Sequence, residues 1–340
     1  MENSAQVLVN GVKQKVNTSN VPPDLKEKLI GLLDFPGAVV DVPRFVGYVD
    51  FILSLPWSKQ NQDILDINRA KQIMDKNHYG LKVVKDRVLE YLSVLILHQR
   101  EGSNANFHAP ILAFVGLVGT GKTTIAYSIA ESLGRPIVRI PFGGLGDPIQ
   151  LRGQSRTRPN AEPGLILKAI KTAGVSNPVI LLDEIDRVAE EGRVDIMGVL
   201  VELLDPQQNH AFVDYYLDYP FDLSKVMFIA TANNTGNIAT AVMDRLEPIQ
   251  MPSYSDEEKT IIAQRYLLPK ALQEAGVNSS KIVISVEVWP LIIRPLGYDA
   301  GIRSLSRTLQ SITRKVALKI VEGNSGVFNI TKENIGEYIS

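Results

Sequence analysis

Residues 110–124 read PILAFVGLVGTGKTT: an apolar run, a glycine-rich turn, then residues at helical spacing. Ile111 to Val115 has the length and continuity of a buried strand. Gly116 to Thr123 fits the spacing G-x-x-x-x-G-K-[ST], and Ile125 to Leu133 resumes with an apolar helical face. Strand, turn and helix in that order are the context in which this spacing predicts a phosphate-binding loop rather than a chance turn. Gly116, Gly119 and Gly121 permit backbone angles closed to other residues. The loop, with Leu117, Val118 and Thr120 between the glycines, can then turn its N–H groups inward as an anion nest. The helix opening near Lys122, with Thr123 and Thr124 in its first turn, adds the positive end of its dipole. Lys122 can reach the β- and γ-phosphates of a nucleotide. The Thr123 hydroxyl suits magnesium, which takes oxygen ligands and keeps several waters. ATP and Mg2+ are the expected cofactors.

Outward from this stretch, Val179 to Leu182 is a second apolar strand and ends in Asp183-Glu184. An acidic pair at the C-terminal end of a parallel strand falls beside the phosphate loop. Asp183 is expected to hold magnesium and Glu184 to polarise the attacking water as general base. An acidic N-cap for the next helix is the plain alternative. Val226 to Ala230 is a further strand, ending in Thr231-Ala232-Asn233, and the Asn233 amide can touch the γ-phosphate or position water. Pro136 to Ile140 and Pro248 to Met251 complete a five-stranded sheet. Between them Phe142 to Pro163 is rich in glycine and proline and carries Arg152, Arg156 and Arg158. Excursions of that length in a compact domain are usually functional or mobile.

The chain has 340 residues, 45% hydrophobic and 21% charged, and a net charge of −1, the profile of an ordinary globular protein without an overall basic footprint for nucleic acid. It has no cysteine, which excludes disulfides, thiolate metal sites and cysteine nucleophiles and fits a reducing, cytoplasmic setting. The N-terminus shows no charged-then-apolar leader, and no apolar run is long enough to cross a bilayer. His78, His98, His108 and His210 are scattered without metal-ligand spacing.

Before the core, residues 1–20 are weakly patterned. A helix is predicted over Leu25 to Leu33 with Asp24 as N-cap, ended by Phe35-Pro36-Gly37, and another over Arg44 to Leu55. Such a segment makes a poor core alone and should pack on its neighbours. Asp66 to Asp75 and Val83 to Gln99 are helical, and Glu101 to His108 is a polar loop. Helices are also expected over Leu165 to Ala173, Val194 to Leu204 and Ala241 to Arg245, with a loop over Asp205 to Asp222. After Asp256 the pattern is helical over Glu257 to Leu268, Val286 to Leu296 and Ile302 to Val321, with small strands at Ile282 to Ser285 and Val327 to Ile330. The expected organisation is an N-terminal helical segment (1–62), an α/β nucleotide-binding domain with a five-stranded parallel sheet (63–254) and a small, mainly helical domain (255–340).

The phosphate loop, the LLDE strand end and the ATAN strand tip resemble those of the AAA+ ATPases. Longer strings, HYGLKVVKDRVLEYLSV, LDPQQNHAFVDYYLDYPFDLSKVMFIATAN, MDRLEPIQ and AGIRSLSR, resemble the ATPase module of the Lon proteases from about Leu53 to near the C-terminus. The resemblance implies that His78, Tyr79, Gly80 and Leu81 line the adenine pocket and that Asn233 is a strand-tip sensor. It implies that Arg245 is an arginine finger offered to the next subunit, and that Arg303 contacts the γ-phosphate within its own chain. An arginine suits both posts because its charged planar fork matches phosphate oxygens; a surface ion pair is the plain alternative for each. It further implies a homo-oligomeric ring, usually a hexamer, acting on unfolded or damaged protein.

Three departures stand against that pattern. No serine–lysine peptidase pair is assigned in this chain, so peptide-bond cleavage is not expected of it. Where the family's substrate-gripping loop carries an aromatic then an aliphatic residue, this chain has Arg158-Pro159-Asn160. The second pore loop falls near Glu190 to Arg193, equally short of apolar grip. A nucleotide-dependent interaction module that threads nothing is therefore the competing reading. A DNA-handling protein is a third, resting only on Arg152 to Arg158.

Overall fold

The computed structural model describes residues 2–34, 42–100, 110–294 and 301–339. The expected break at Phe35-Pro36-Gly37, the whole loop at Glu101 to His108 and the end of the helix expected up to Leu296 lie outside them.

The described strands are β1 (Ile111–Val115), β2 (Ile137–Pro141), β3 (Val179–Asp183), β4 (Phe212–Asp214), β5 (Tyr219–Phe221), β6 (Met227–Ala232), β7 (Leu246–Gln250), β8 (Ile282–Ile284) and β9 (Phe328–Ile330). Five form one all-parallel sheet in the order β2-β3-β6-β1-β7. Parallel strands require crossovers, and those crossovers cover both faces. This is why β3 and β6 are apolar without alternation and buried throughout. Side chains of alternate residues nonetheless separate. Leu112, Phe114, Leu181 and Ile229 pack with helices Ile67–Asn77, Lys82–Arg100 and Lys122–Leu133. Ala113, Ile180, Leu182 and Ala230 face the other way, onto helices Leu165–Ala173 and Arg193–Leu203. Pro141 and Pro248 fall on the two edge strands, where a missing N–H costs least.

The N-terminal helices join that second face. Val12, Val16, Leu25, Leu29, Val49 and Ile52 are buried in the same apolar cluster as Phe212, Leu217 and Phe221. Residues 1–20, weakly patterned to the eye, contain helix Glu2–Thr18, whose Val9, Val12 and Val16 form one narrow stripe. The second helix begins at Pro23, which places Asp24 in its first turn rather than at the cap; the Asp24 carboxylate accepts from the Tyr219 hydroxyl at 2.7 Å. Residues 57–66 then run along the sheet. Asp63 and Arg135 meet there through two parallel hydrogen bonds of 2.6 and 2.7 Å, with both side chains under a tenth exposed. Loss of either partner strands a buried charge.

The loop expected at Asp205 to Asp222 contains the antiparallel hairpin β4–β5, whose three-residue strands are too short to show a period. Helix Asp256–Ile262 opens with a reciprocal Ser255–Glu258 capping box, and a π-helical turn over Ala263–Leu267 carries it into helix Leu268–Glu274. With helices Trp289–Ile293 and Arg303–Val321 and the parallel pair β8–β9, these form a separate apolar cluster around Trp289, Ile292 and Leu309.

Candidate active site

The parallel sheet delivers the tips of β1, β3 and β6 to one edge, and the site assembles there. Gly119 and Gly121 hold φ of 83° and 95°, a region that disfavours side chains. A Cβ on Gly116 would lie 2.7 Å from the Met251 carbonyl. The turn is therefore pressed against the segment after β7, and the Tyr254 hydroxyl donates to the Thr120 carbonyl at 3.1 Å. Burial pushes that phenol up to about 12, so it remains a donor. Helix Lys122–Leu133 starts directly from Gly121, and the first amides of a helix lack intrahelical partners.

Lys122 points back across the turn. Its ammonium donates to the carbonyls of Gly116 at 2.6 Å and Leu117 at 3.0 Å, and to Asn233 Oδ1 at 3.0 Å. Burial pushes the lysine below its ordinary value, against the opposing pull of Asp186 and Glu184. Asn233 Nδ2 is buried with no hydrogen-bond partner. Buried donors normally find a partner, and this one, on the amide whose oxygen takes the Lys122 ammonium, has none within the chain.

Asp183 closes β3 with its side chain about 5% exposed. Its Oδ1 accepts from the hydroxyls of Thr123, at 3.3 Å, and Thr231. Its Oδ2 accepts from Arg139 Nε at 2.6 Å. Thr123 and Asp183 present hard oxygens from two different elements, the donor chemistry magnesium prefers, and leave the remaining positions to water and phosphate. Glu184 follows with φ 58° and ψ 51°, a left-handed conformation uncommon for a side-chain-bearing residue. The Thr231 hydroxyl accepts its N–H at 2.9 Å, and the Arg187 guanidinium stands 3.8 Å from its carboxylate. Its Oε2 stands beside Gly143, 3.6 Å from where a Cβ there would lie.

The helical segment after Asp256 meets this site directly. The Ile302 N–H donates to the Gly119 carbonyl at 3.1 Å, and a Cβ on Gly119 would lie 3.3 Å from Arg303 Cγ. The structure thus gathers Lys122, Thr123, Asp183, Glu184, Asn233 and Arg303 at one place.

Arg245 lies elsewhere. Its carbonyl accepts from the Ile111 N–H, at the opposite end of β1 from the glycine turn. Five residues of strand separate the two by about 16 Å. Its guanidinium donates to Asp205 at 2.8 Å and to the Ala241 carbonyl at 2.7 Å, the ion pair that was the plain alternative for this residue. The bond to Arg245 holds the Asp205 carboxyl below the usual range. His78 is buried. Its Nε2 is 2.8 Å from the Ser128 hydroxyl on helix Lys122–Leu133, and burial followed by the Lys85 charge pushes it down to about 4. Tyr79 and Gly80 are partly exposed beside it, and Leu81 is buried at φ 52°. A Cβ on Gly80 would meet Glu258 Oε1 at 2.8 Å, placing these residues against the Ser255–Glu258 capping box.

Four residues at the site escaped sequence reasoning. Thr231 bridges the carboxylate of Asp183 and the amide of Glu184. Arg139 holds Asp183, and Tyr254 ties the turn. Asp186 is buried with Oδ1 unpaired. Only Thr231, inside the quoted ATAN string, carried a signal; the others look like unremarkable strand or loop residues until the chain is folded.

The arginine-bearing excursion is built differently. Asp214 Oδ2 accepts from the Gly164 N–H at 2.7 Å and Oδ1 from the amides of Tyr216 and Leu217. Gln154 N donates to the Glu162 carbonyl at 3.0 Å, closing the neck. Arg152 pairs with Glu202 and lies over the rings of Phe212 and Tyr215. Arg156 lies 4.0 Å from the Tyr48 ring centroid. Arg44 donates to the carbonyls of Arg156 and Arg158. Two of the three arginines are thus engaged within the chain, which removes most of the support for a DNA-handling surface. The tip, Arg158-Pro159-Asn160, is exposed, with Asn160 at φ 56°. Glu190 and Glu191 are exposed too, and the apolar Val194, 84% exposed, stands just after them.

Residues 112–254 match the ATPase family associated with various cellular activities, and residues 273–328 match the Lon protease AAA+ ATPase lid domain. The chain is 47% identical over 337 residues to a Lon protease of Lawsonia intracellularis, covering 97% of this chain and 40% of that protein. It is 40% identical over 336 residues to a Lon protease of Geobacter metallireducens, with the same coverage. A Lon protease 2 of Thermus thermophilus is 44% identical over 298 residues, 86% of this chain and 37% of that protein. The chain therefore spans about two-fifths of the length of these curated relatives. Among the described residues no helix is long and apolar enough to cross a membrane.

Proposed function

We infer, from the premise that this chain belongs to the Lon protease family, that it binds magnesium–ATP and cuts it with water between the glycine turn and the Asp183–Glu184 pair. The observation that supports this most is the buried, unpartnered Asn233 Nδ2 beside Lys122, on the far side of a cradle that also presents Thr123, Asp183 and Arg303. Bound magnesium would supply charge neutralisation at the phosphates. Residues 116–124 wrap the phosphates, and Lys122 turns from the loop carbonyls to the β- and γ-oxygens. Glu184 takes the proton of the attacking water. Asn233 orients that water or the γ-phosphate, and Arg303 stabilises developing charge from the second domain. His78, Tyr79, Gly80 and Leu81 border the adenine.

Arg245 cannot reach its own chain's turn along β1, so its proposed role is in trans, at the nucleotide of a neighbouring copy in a ring, six-membered by analogy. The work so driven is the unfolding and feeding of protein substrates in a cytoplasmic setting. We assign the chain the ATPase part of that work and no peptide-bond cleavage. The exposed Arg158-Pro159-Asn160 tip favours a second reading, a nucleotide-dependent assembly module without effective threading. Mass measurement with a slowly hydrolysed ATP analogue, with and without Lys122→Ala, tests the first reading. Loss of nucleotide grip in the variant and nucleotide-dependent assembly of the parent are expected; a parent that does not bind magnesium–ATP overturns it. Stimulation of turnover by an unfolded protein separates motor from module.

A further inference from the structure

Both oxygens of the Asp183 carboxylate are engaged within the chain. Thr231 and Thr123 hydroxyls occupy Oδ1, and the Arg139 guanidinium occupies Oδ2 at 2.6 Å. The two ends of that ion pair differ: Asp183 is about 5% exposed and Arg139 about half exposed. Arg139 stands on the edge strand β2 and reaches across to β3, whose Asp183 lies opposite Pro141 in the register. The β2 tip is stitched to the same residue by its backbone, since the Phe142 N–H donates to the Asp183 carbonyl at 2.8 Å. A buried carboxylate without a cation is costly, and Arg139 supplies that counter-charge. It does so from the oxygen that faces away from Thr123.

Resting on the reading that magnesium binds at Thr123 and Asp183, we propose that Arg139 is a positioning residue for that metal. It holds Asp183 by Oδ2 with Oδ1 turned toward Thr123, and its charge opposes a divalent cation that arrives without triphosphate. The argument is electrostatic. A fixed positive charge on the far oxygen lowers the carboxylate's attraction for Mg2+ and repels the ion directly. The phosphates of a nucleotide restore the balance, so the site loads magnesium together with ATP or ADP and rejects the free ion. The half-exposed position leaves Arg139 room to turn into water when the metal charge arrives.

The test uses the full chain and magnesium chloride, read by thermal shift without nucleotide and by binding of a fluorescent ADP analogue at graded Mg2+. Arg139→Gln is expected to lower the half-saturating Mg2+ roughly tenfold in both readouts, the scale of removing a unit charge several ångströms from a divalent ion. Arg139→Met, which keeps the apolar stem, serves the same purpose should glutamine not be tolerated. Arg139→Lys keeps the charge and is expected to stay within about twofold of the parent. A merely structural role would lower the melting temperature without tightening the metal. Unchanged or weaker Mg2+ binding in the neutral variants overturns the proposal, as does a tightening by lysine equal to that by glutamine. If the parent binds no magnesium–nucleotide at all, the reading of the site fails instead.

Discussion

The candidate nucleotide cleft and the arginine-bearing excursion leave the sheet at two paired residues, Asp183 and Pro141, yet they are held by opposite means. In the cleft, side chains of Lys122, Thr123, Asp183, Thr231 and Asn233 bond one another across three elements. In the excursion, side chains outside it clamp its backbone: Asp214 grips the neck and Arg44 grips the carbonyls near the tip. The difference teaches where sequence change is tolerated. A network of mutually bonded side chains fixes residue identity at every node. A backbone held from outside fixes only its neck and leaves the tip open to change, and there the chain reads Arg158-Pro159-Asn160.

The largest effect should come from the cleft. Glu184→Gln is expected to keep nucleotide affinity within about twofold and to lower turnover at least tenfold, a conservative floor beneath the roughly hundredfold or greater contribution of a general base. Equal turnover would break the asymmetry by making the strained Glu184 dispensable. Next, Asp214→Asn should open the neck: losing acceptor strength for three buried amides costs about 1–3 kcal/mol, measured by denaturant unfolding, with little effect on nucleotide binding at temperatures where the chain stays folded.

The two regions should also answer acid in opposite directions. Burial raises Asp214 from 3.8 to about 6, so its contribution to stability is full below about pH 4 and is lost as pH rises through 6. Burial lowers His78 from 6.5 to about 4, so its contribution is full above pH 6.5 and is lost as pH falls through 4. Unfolding titrations of Asp214→Asn and His78→Gln against the parent, from pH 4 to 7, should show differences of opposite slope; slopes of one sign would mean that one group is not buried as described. The smallest effect is expected at Arg44→Ala, which should speed proteolysis in the excursion several-fold while leaving the melting temperature nearly unchanged, since exposed polar contacts contribute little.

The meeting of Lys122, Thr123, Asp183, Glu184 and Asn233 was legible before the fold because they sit in short contiguous strings at strand ends and a helix start. The central strands β1, β3 and β6 were legible because burial on both faces makes them near-continuous apolar runs, whereas the edge strands β2 and β7 are partly exposed. Strand β7 began two residues earlier than expected because Pro248 reads as a boundary, whereas an edge strand absorbs it. What stayed hidden depends on distant residues meeting. Arg139 looks like any strand charge until β2 lies beside β3. Helix Glu2–Thr18 shows its narrow valine stripe only once Leu25 and Ile52 supply the surface it covers. The hairpin β4–β5 is too brief to print a pattern of its own.

A main-chain hydrogen bond from Ile302 to the Gly119 carbonyl ties the helical segment after Asp256 to the glycine turn itself. Coupling between two sites is reciprocal. On the proposed reading, a pull on that segment would reach the phosphate-binding turn through this hydrogen bond, and the grip on nucleotide would register mechanical load.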